Sequence, residues 1–407
     1  MIRPYRPTDK DNCIQILCEV GWMEGKSTDS EVFDGYISDS PSFVTEINGD
    51  AEVLVLTHPG QVLIQNQDIE MSVVTGVLAS RIARMQGHAL KTTAVAIANS
   101  AEKGAAVSFL GIFDQGYYDK LGFGTLGYSR LSTIDPAKLK VPKLTRAPKR
   151  LTKKDGESIH ACRRNRKRVH GGCNLDGDGV TSCELVWTEN GFGLGFENKD
   201  GELTHFLWLI AKDEHGPYQC SFYCWQTHEQ LIELFSVLKS LSDQVHSVRL
   251  GEPPGFQLQD FLDRPFATIR SRKNGIHDNA GNSAAWIQCR ILDVPICIGA
   301  LKLCGKSVSF NLVLTDAIEQ YIPSDCSWKG VAGEWIVQLG EESNARRGAD
   351  DSLPTLLCSV NDLSRLWIGA STAEALTTVG DLQADKELIS RIDSIFSIPA
   401  PTLDWDF

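Results

Sequence analysis

Alternating and continuous apolar stretches divide the first part of the chain into strands. Residues 42–71 alternate apolar and polar positions, with turn signals at Asn48-Gly49 and Pro59-Gly60. Such a pattern is typical of antiparallel β-hairpins. The run "SVVTGVLA" (72–79) is almost continuously apolar, as expected for a strand that is buried on both faces. The pattern therefore predicts a sheet in which 72–79 is a central or parallel strand.

A helix and a second buried strand follow this central strand. Leu90, Ala94, Ile97 and Ala98 recur at helical spacing, and Gly104 stands where a C-terminal cap belongs. The run "AAVSFLGI" then predicts the second strand. Because strand, helix and strand in this order form a β-α-β unit, we expect the two strands to be parallel.

The hexapeptide "RMQGHA" (84–89) lies between the central strand and the helix. A helix that begins there presents unpaired N–H groups and the positive end of its dipole, which together form an anion site. The hexapeptide fits the pattern R/Q-x-x-G-x-G/A, in which Gly87 and Ala89 let a pyrophosphate approach the backbone and Arg84 adds charge. It matches neither the dinucleotide fingerprint nor the P-loop. The alternative is an ordinary polar helix start.

Length and composition indicate a soluble protein with several domains. At about 150 residues per domain, the 407 residues predict two or three domains, and we adopt three. Neither a signal peptide nor a membrane-spanning stretch is visible, so we expect a cytoplasmic protein without membrane contact. The twelve cysteines lack C-x-x-C spacing, which favours reduced, buried thiols and no metal site. Residues 174–185 resemble a calcium loop but lack its final carboxylate, so we predict a turn.

The charge is unevenly distributed along the chain. The net charge is −12, yet residues 138–168 contain thirteen basic and two acidic residues. Because no aromatic residues or nucleic-acid motif accompany this stretch, we expect a solvated linker followed by a basic helix, and no nucleic-acid partner. The remainder of the chain is strongly acidic. A negative cleft attracts cationic substrates, which favours amines.

The segment after the second strand completes a recognisable pattern. "SFLGIFDQGYYDKLGFGTLGYSRL" (108–131) adds a short helix that Asp114 could cap, and Tyr118 four residues before Gly122. Loop, helix, strand and "YYDKLGF" together resemble the acetyl-CoA-binding core of the GNAT superfamily of N-acetyltransferases. The resemblance implies that the pantetheine arm lies between two splayed strands. It assigns the pantetheine amides to Val77, Leu78 and Ala79, the phosphates to Arg84, Met85, Gln86, Gly87, His88, Ala89 and Leu90, and the thiol end to Phe113 and Asp114.

The rest of the chain narrows the resemblance. Residues 220–266 look like a second unit of the same kind, but its strand reaches the helix through Gln226 and Thr227 alone. Thr227 and Gln230 predict a capping box, which leaves no phosphate loop. The last part of the chain looks like a sterol-carrier-like α+β domain. This order of parts resembles the enhanced intracellular survival (Eis) family of aminoglycoside acetyltransferases over essentially the whole chain.

The resemblance implies an α+β protein with three domains. We expect an acetyl-CoA-binding GNAT domain at 1–148 and a degenerate GNAT-like domain at 149–287, each with a mixed central sheet and flanking helices. A sterol-carrier-protein-like domain is expected at 288–407. Family members form hexamers, so the resemblance also implies a homo-oligomer.

The family's chemistry implies two catalytic groups. Acetyl transfer from a thioester to an amine needs a neutral nucleophile and a protonated leaving group, so a base and an acid must converge. Tyr118 matches the general acid of the family; the alternative is a core tyrosine, as we expect for Tyr117. In this family the terminal carboxylate, here that of Phe407, enters the active site as base or anchor. A frayed terminus is the alternative.

The expected acceptor is a primary amine of a cationic, aminoglycoside- or polyamine-like small molecule. Asp406 would add a second negative contact, and Trp22 and Glu24 are candidates to line the pocket. Two alternatives stay open. A protein-lysine or peptide acetyltransferase would need an open groove, and a non-catalytic lipid- or acyl-CoA-binding protein would need an apolar tunnel in the third domain.

Overall fold

The computed structural model describes residues 1–25, 29–114, 116–211, 213–263 and 280–405. These residues form two compact units. The first unit consists of residues 1–127, 170–176 and the described residues from 285 onward. The second consists of the described residues of 128–169 and 177–284. The units are not the three predicted domains, whose boundaries at 148 and 287 stay predictions.

Both units contain strands and helices. In chain order the strands are β1 (Ile2–Pro4), β2 (Ser42–Ile47), β3 (Asp50–Ile64), β4 (Gln67–Ala79), β5 (Val107–Gly111), β6 (Gly124–Thr125), β7 (Ser129–Ile134), β8 (Lys149–Leu151), β9 (Cys173–Leu175), β10 (Gly191–Glu197), β11 (Leu203–Ala211), β12 (Tyr218–Cys224), β13 (Val248–Gly251), β14 (Ala280–Ala284), β15 (Ile287–Ile291), β16 (Val308–Thr315), β17 (Gly333–Leu339), β18 (Asn344–Arg347) and β19 (Thr355–Ser359). The α-helices are α1 (Lys10–Glu19), α2 (Asp29–Ser38), α3 (His88–Glu102), α4 (Gly156–Arg164), α5 (Gly179–Trp187), α6 (His228–Ser240), α7 (Val294–Gly299), α8 (Val360–Trp367), α9 (Ala373–Val379) and α10 (Lys386–Ile395).

The main sheet of the first unit has the order β1–β2–β3–β4–β5–β15–β6, and β9 also pairs with β3. β4 and β5 are parallel and are joined by α3, which confirms the predicted β-α-β unit. Gly87 begins α3 with a φ of 75°, and Gly104 follows its end with a φ of 98°, as predicted for a C-terminal cap. The small side chains of Ala94 and Ala98 are buried, so the helix packs closely on the sheet.

One of the two predicted hairpin turns is wrong. The turn at Asn48-Gly49 is confirmed, since it connects β2 to β3 with both φ angles positive. At Pro59-Gly60 the chain does not turn, because β3 runs through both residues. Gly60 instead admits the backbone of β9: a Cβ at this position would overlap the carbonyl oxygen of Asn174. The glycine signal therefore marked a close approach of two backbones.

The C-terminal part of the first unit contributes to two sheets. β15 lies between β5 and β6 in the main sheet, and it is antiparallel to both. The remaining strands form a second sheet in the order β18–β17–β16–β19. Helix α8 links the two sheets, because it follows β19 directly in the chain and also contacts β15. The backbone N–H of Ile291 in β15 donates to the Ser364 hydroxyl in α8 at 2.9 Å. Trp367 of α8 is fully buried and donates its indole N–H to the carbonyl of Cys297.

The second unit contains one sheet in the order β14–β7–β13–β12–β11–β10–β8. β12 and β13 are parallel and are joined by α6, which repeats the strand-helix-strand arrangement. The predicted capping box of Thr227 and Gln230 is confirmed. Buried side chains of α6 such as Leu234 and Phe235 cover one face of this sheet, and Trp208 belongs to the cluster on the other side.

Two local predictions are wrong, and one is confirmed in part. Most of 174–185, predicted as a turn, belongs to α5, because the chain bends only briefly after β9. The short helix after β5 is a single 3-10 turn (Tyr118–Leu121) with Tyr117 at its N-cap, so Asp114 does not cap it. The helix expected within 138–168 is present as α4, but the stretch before it is not a fully solvated linker, because Leu139 and Val141 are buried in the core of the second unit.

Candidate active site

Strands β4 and β5 separate in the middle of the main sheet. They pair from Met71 opposite Val107 to Val74 opposite Leu110. Beyond this point β4 continues to Ala79 beside β3, while β5 stays paired with β15. A register shift between β3 and β4 leaves Thr75 as an extra residue, a β-bulge, where the separation begins. Within the described ranges, the edge of β4 from Thr75 to Ala79 that faces away from β3 has no strand partner. The predicted pantetheine contacts Val77, Leu78 and Ala79 lie on this edge.

The loop between β4 and α3 presents backbone N–H groups at one place. Met85 and Gly87 both have positive φ angles, 61° and 75°, which turn the chain sharply into the helix. In the described part of the chain, the N–H groups of residues 86–90 have no acceptor. The Gln86 side chain donates to the carbonyl of Ile82 at 2.6 Å, which orders the loop. Free N–H groups at a helix start can bind an anion. The phosphate contacts predicted for this loop stay a prediction.

Tyr118 lies in the 3-10 turn that follows β5. Its side chain is buried, with 3% exposed, and its ring packs edge-on against Phe113, Tyr117 and Phe123 at centroid distances of 5.8, 4.9 and 6.3 Å. Burial, with a smaller contribution from Tyr117, raises the pKa of Tyr118 above its ordinary value. Its hydroxyl makes no hydrogen bond to another described residue. A buried phenol that stays protonated and unpaired can donate to a ligand.

Both residues predicted beside the thiol end, Phe113 and Asp114, lie in the exposed loop after β5. Phe113 is 72% exposed although it is apolar, and its ring contacts those of Tyr117 and Tyr118. Asp114 is exposed in the same loop. The loop therefore places an uncovered aromatic ring directly beside Tyr118.

The predicted substrate residues lie in the loop after α1. Trp22 is 44% exposed and lies over β4, since a Cβ at Gly76 would come within 3.7 Å of its ring. Glu24 is exposed in the same loop. Trp22 therefore lies next to the bulge of β4. Glu24 follows it in the same loop and lies on the surface.

Sequence reasoning missed a buried network at this bulge. Tyr36 of α2 donates its hydroxyl to the carbonyl of Thr75 at 3.0 Å. The Ser40 hydroxyl donates to the Tyr36 carbonyl at 2.6 Å, and it lies 2.5 Å from Nε2 of His58. Because the Ser40 hydroxyl already donates its only proton to this carbonyl, it must accept the hydrogen bond from Nε2–H of His58. Burial lowers the pKa of His58 to about 4. Only the spacing of apolar residues in 29–38 could have indicated a buried helix face here.

The C-terminal tail is fixed along the segment that leads into β9. Thr402 donates its N–H to the carbonyl of His170 at 2.9 Å, and the N–H of Cys173 donates to the Asp404 carboxylate at 3.2 Å. Gly171 allows this approach, since a Cβ there would lie 2.8 Å from that of Pro401. Trp405 is only 2% exposed. The tail is therefore ordered by contacts as far as Trp405; the predicted Asp406 and Phe407 lie outside the described residues.

The C-terminal sheet encloses a small apolar cavity. Its volume is about 10 Å³, which is roughly the space of one water molecule. A lipid or acyl chain needs a cavity of several hundred cubic ångströms. This cavity is therefore not the apolar tunnel that the lipid-binding alternative requires. Its lining consists of Ile298, Phe310, Leu312, Val337, Leu339, Leu363, Leu366, Trp367 and Phe396.

Two features of other protein classes are missing from the part of the chain that the structure describes. None of its helices is long and apolar enough to cross a membrane. It also contains no group of three or more His, Cys, Asp or Glu side chains placed to hold a metal ion.

Comparisons with known proteins agree with this architecture. A family model described as a sterol carrier protein domain matches residues 325–404. Among curated proteins, none matches the sequence significantly. Solved structures match over the full length. A probable N-acyltransferase from Enterococcus faecalis V583 has a TM-score of 0.77 at 18% identity, with 100% of this chain and 99% of that chain covered.

Two further structures show the same full-length likeness. A GCN5-related N-acetyltransferase from Anabaena variabilis has a TM-score of 0.78 at 14% identity, with 99% of each chain covered. Eis1 from Mycobacterium abscessus has a TM-score of 0.77 at 14% identity, with both chains covered completely. At these identities the likeness is one of fold. The chain therefore has the α+β fold of the Eis-like GNAT proteins, with tandem GNAT-like parts and a C-terminal sterol carrier protein domain, as its sequence predicts.

Proposed function

We propose that this chain is an acetyl-CoA-dependent N-acetyltransferase that acetylates a primary amine of a cationic small molecule. One observation carries the proposal: an unpartnered strand edge at Val77–Ala79 leads directly to the free N–H groups of residues 86–90. An extended pantetheine with two amides and a diphosphate needs these two features in this order. The fold shared with GNAT structures supports the same conclusion.

The residues at this junction suit acetyl-CoA in their chemistry. Val77, Leu78 and Ala79 would pair with the pantetheine amides, and Arg84 with the backbone of 85–90 would bind the phosphates. Ile82, Met85 and Phe113 are exposed apolar side chains on the two loops, and a ligand lying across them would cover apolar surface. Acetyl-CoA supplies an activated acetyl group as a thioester.

Tyr118 is proposed as the general acid. As the amine nitrogen bonds to the carbonyl carbon, the C–S bond breaks and charge develops on the sulfur, where the phenol donates its hydrogen bond. Because burial raises the pKa of Tyr118, the phenol is neutral throughout the physiological range. Because that pKa lies above the value of about 8.5 for a thiol, the phenol keeps most of its proton and stabilises the departing thiolate mainly by its hydrogen bond.

The carboxylate of Phe407 is proposed as the base or anchor for the amine. The contacts of Thr402, Asp404 and Trp405 support this role, because they hold the chain in place up to Trp405. A carboxylate with an ordinary pKa is a weak base at pH 7, so its main effect is to orient the ammonium group, and its share in removing the proton grows only where burial raises its pKa. Asp406, Trp22 and Glu24 would supply the remaining amine contacts. The net charge of −12 favours cationic acceptors.

Transfer of an acetyl group to lysine in a protein or peptide is the alternative that differs only in substrate. The cavity of about 10 Å³ at the C-terminal sheet cannot hold an acyl chain, so it does not support the lipid-binding alternative. A cytoplasmic location and a homo-oligomer, hexameric by resemblance, stay predictions.

Release of CoA thiol tests the proposal. The purified full-length chain is given acetyl-CoA with aminoglycosides, polyamines or a lysine peptide, and we expect thiol release with one or more of the cationic small molecules. Tyr118→Phe should lower kcat by roughly 10² to 10⁴, the usual contribution of a general acid, with little change in KM for acetyl-CoA. Tyr117→Phe is the matched control, because its ring is the neighbour of Tyr118 at 4.9 Å, and it should keep near-normal turnover.

Removal of Phe407 tests the second group. The shortened chain should keep its affinity for CoA and lose turnover, because only the amine side of the site changes. Full turnover in Tyr118→Phe or in the shortened chain would contradict the assigned roles. Absence of thiol release with every amine, together with no measurable CoA binding, would contradict the proposed function itself.

A further inference from the structure

The turn that carries Tyr118 is held by side chains from the C-terminal part of the first unit. The turn itself is short, and its closing hydrogen bond joins the Gly122 N–H to the Asp119 carbonyl at 3.0 Å. A single 3-10 turn is weakly determined by its own hydrogen bonds. The carbonyl of Tyr118 accepts the N–H of Phe123 at 3.3 Å, but its side chain contributes only ring contacts and no hydrogen bond to another described residue. Other parts of the structure must therefore fix its position.

Arg290 of β15 supplies the most deeply buried of these contacts. One guanidinium nitrogen, Nη1, donates to the carbonyl of Leu121, the last residue of the turn. The other, Nη2, donates to Asp316 at 2.7 Å, and both side chains of this ion pair are fully buried. The Asp316 carboxylate also accepts the backbone N–H groups of Ile318 and Val331 at 3.2 and 3.0 Å. Backbone groups of the C-terminal part therefore hold Asp316, and Asp316 in turn holds the guanidinium group that binds the turn.

Two uncharged side chains hold the same turn from other directions. Asn361 of α8 donates to the carbonyls of Asp119 and Phe123 at 3.0 and 2.8 Å, which are positions on either side of Leu121. Gln288 of β15 donates to the Asp119 carboxylate at 2.7 Å. Three side chains thus bind four acceptor atoms on three residues of the six-residue segment 118–123.

The fit of Gly122 shows how closely this arrangement is packed. With a φ of 82°, Gly122 adopts a conformation that favours glycine. A Cβ there would lie 2.5 Å from Cγ1 of Val360 and 3.0 Å from Nη1 of Arg290. The turn and the C-terminal elements are in direct contact, so a displaced donor would displace the turn.

We propose that Arg290, paired with Asp316, and Asn361 are positioning residues for Tyr118, acting through the backbone carbonyls of its turn. The proposal rests on the proposed function, in which Tyr118 is the general acid. Loss of alignment by about 1 Å can cost 10²-fold in rate, so these side chains would affect the chemical step without touching the substrate. The C-terminal part of the chain would then contribute to catalysis through the acid as well as through the tail.

A double-mutant cycle tests this proposal. Asn361→Ala removes two hydrogen bonds to the turn, and we expect kcat to fall by about tenfold with KM for acetyl-CoA within twofold of the original. In a Tyr118→Phe background, Asn361→Ala should have no further effect on kcat, because no acid is left to misplace. Asn311→Ala is the matched control: Asn311 also donates to two carbonyls, those of Asp350 and Leu353, and its loss should leave kcat unchanged.

The outcomes separate this proposal from the proposed function. If Asn361→Ala lowers kcat by the same factor in both backgrounds, Tyr118 keeps its role and the positioning proposal is overturned. If Tyr118→Phe alone keeps full turnover, the acid role fails, and the positioning proposal fails with it. Should Asn361→Ala not fold, Arg290→Met with Asp316→Asn replaces it in the cycle, since removing both charges leaves no unpaired buried ion.

Discussion

At the scale of single residues, His58 connects the bulge of β4 to the pH of the solution. It is completely buried, and its ring donates to Ser40, which in turn binds the α2 residue that holds Thr75. Burial lowers its pKa from the ordinary 6.5 to about 4, because a charged imidazolium would lose its hydration there. The unfolded chain titrates near 6.5. This residue therefore contributes stability that is complete above pH 6.5 and is lost as the pH falls toward 4.

The stability of the protein should follow that titration. Between pH 6.5 and pH 4 we expect His58 to lower the free energy of unfolding by about 1.4 kcal/mol per pH unit. Urea unfolding at pH 7, 6 and 5 measures this, with His58→Gln expected to show a shallower pH dependence. Equal slopes for His58→Gln and the original chain would refute the assignment.

A residue's structural role can be predicted from the sequence when the residues that determine it lie within a short segment. The helix start at Gly87 could be predicted from one hexapeptide. The role of Tyr118 rests on its spacing to Gly122 together with the family resemblance, and it stays a prediction. Tyr36 and Arg290 could not be predicted, because their partners Thr75 and Leu121 lie 39 and 169 positions away in the sequence. Nothing in the local pattern distinguishes such a buried polar side chain from a surface one.

At the scale of elements, the start of α3 has two competing roles. Its free N–H groups attract any negative charge, whether from a side chain or from a bound phosphate. A carboxylate placed at the first helical residue would therefore satisfy the helix and compete with a phosphate. Stability and cofactor binding should respond to it in opposite directions.

His88→Glu tests this opposition. We expect the helix to gain about 0.3 to 1 kcal/mol, seen as a higher Tm, and the Kd for CoA to rise by about tenfold at low salt. Titration calorimetry with CoA and thermal unfolding measure the two effects. Lys103→Glu at the other end of α3 is the mirror control, which should lower Tm and leave CoA binding unchanged. An unchanged Kd in His88→Glu would exclude the start of α3 as the phosphate site.

Elements with local determinants agree with their sequence patterns. The β-α-β unit and α6 with its capping box follow from periodicity and caps. The long β3 was divided wrongly at Pro59-Gly60 because those residues usually end a strand, and here they serve a contact with β9 from more than 100 positions later. Pairing between distant strands has no signature in the apolar pattern of either strand.

At the scale of the whole molecule, the first unit is discontinuous in sequence. Its main sheet includes β9 and β15, which follow long after β6. β15 lies between β5 and β6. The neighbour on that side of β5, the strand shortly before Tyr118 in the sequence, is therefore supplied by the C-terminal part of the chain. The predicted first domain, 1–148, contains neither of these two strands. Without β15, its sheet would have exposed edges at β5 and β6. In the complete chain these edges are covered by β15, whose apolar side chains such as Cys289 and Ile291 are buried.

A fragment of residues 1–148 should therefore fail to fold on its own, because two unpaired strand edges and an uncovered core favour aggregation. We expect it to lack a cooperative thermal transition by circular dichroism and to bind no CoA. A fragment of residues 128–284 is the matched control of similar length. It contains all seven strands of the sheet of the second unit, and we expect it to unfold cooperatively. A cooperative, CoA-binding 1–148 fragment would mean that β15 is dispensable to the part of the sheet next to Tyr118. In that case the C-terminal side chains could not be what positions Tyr118.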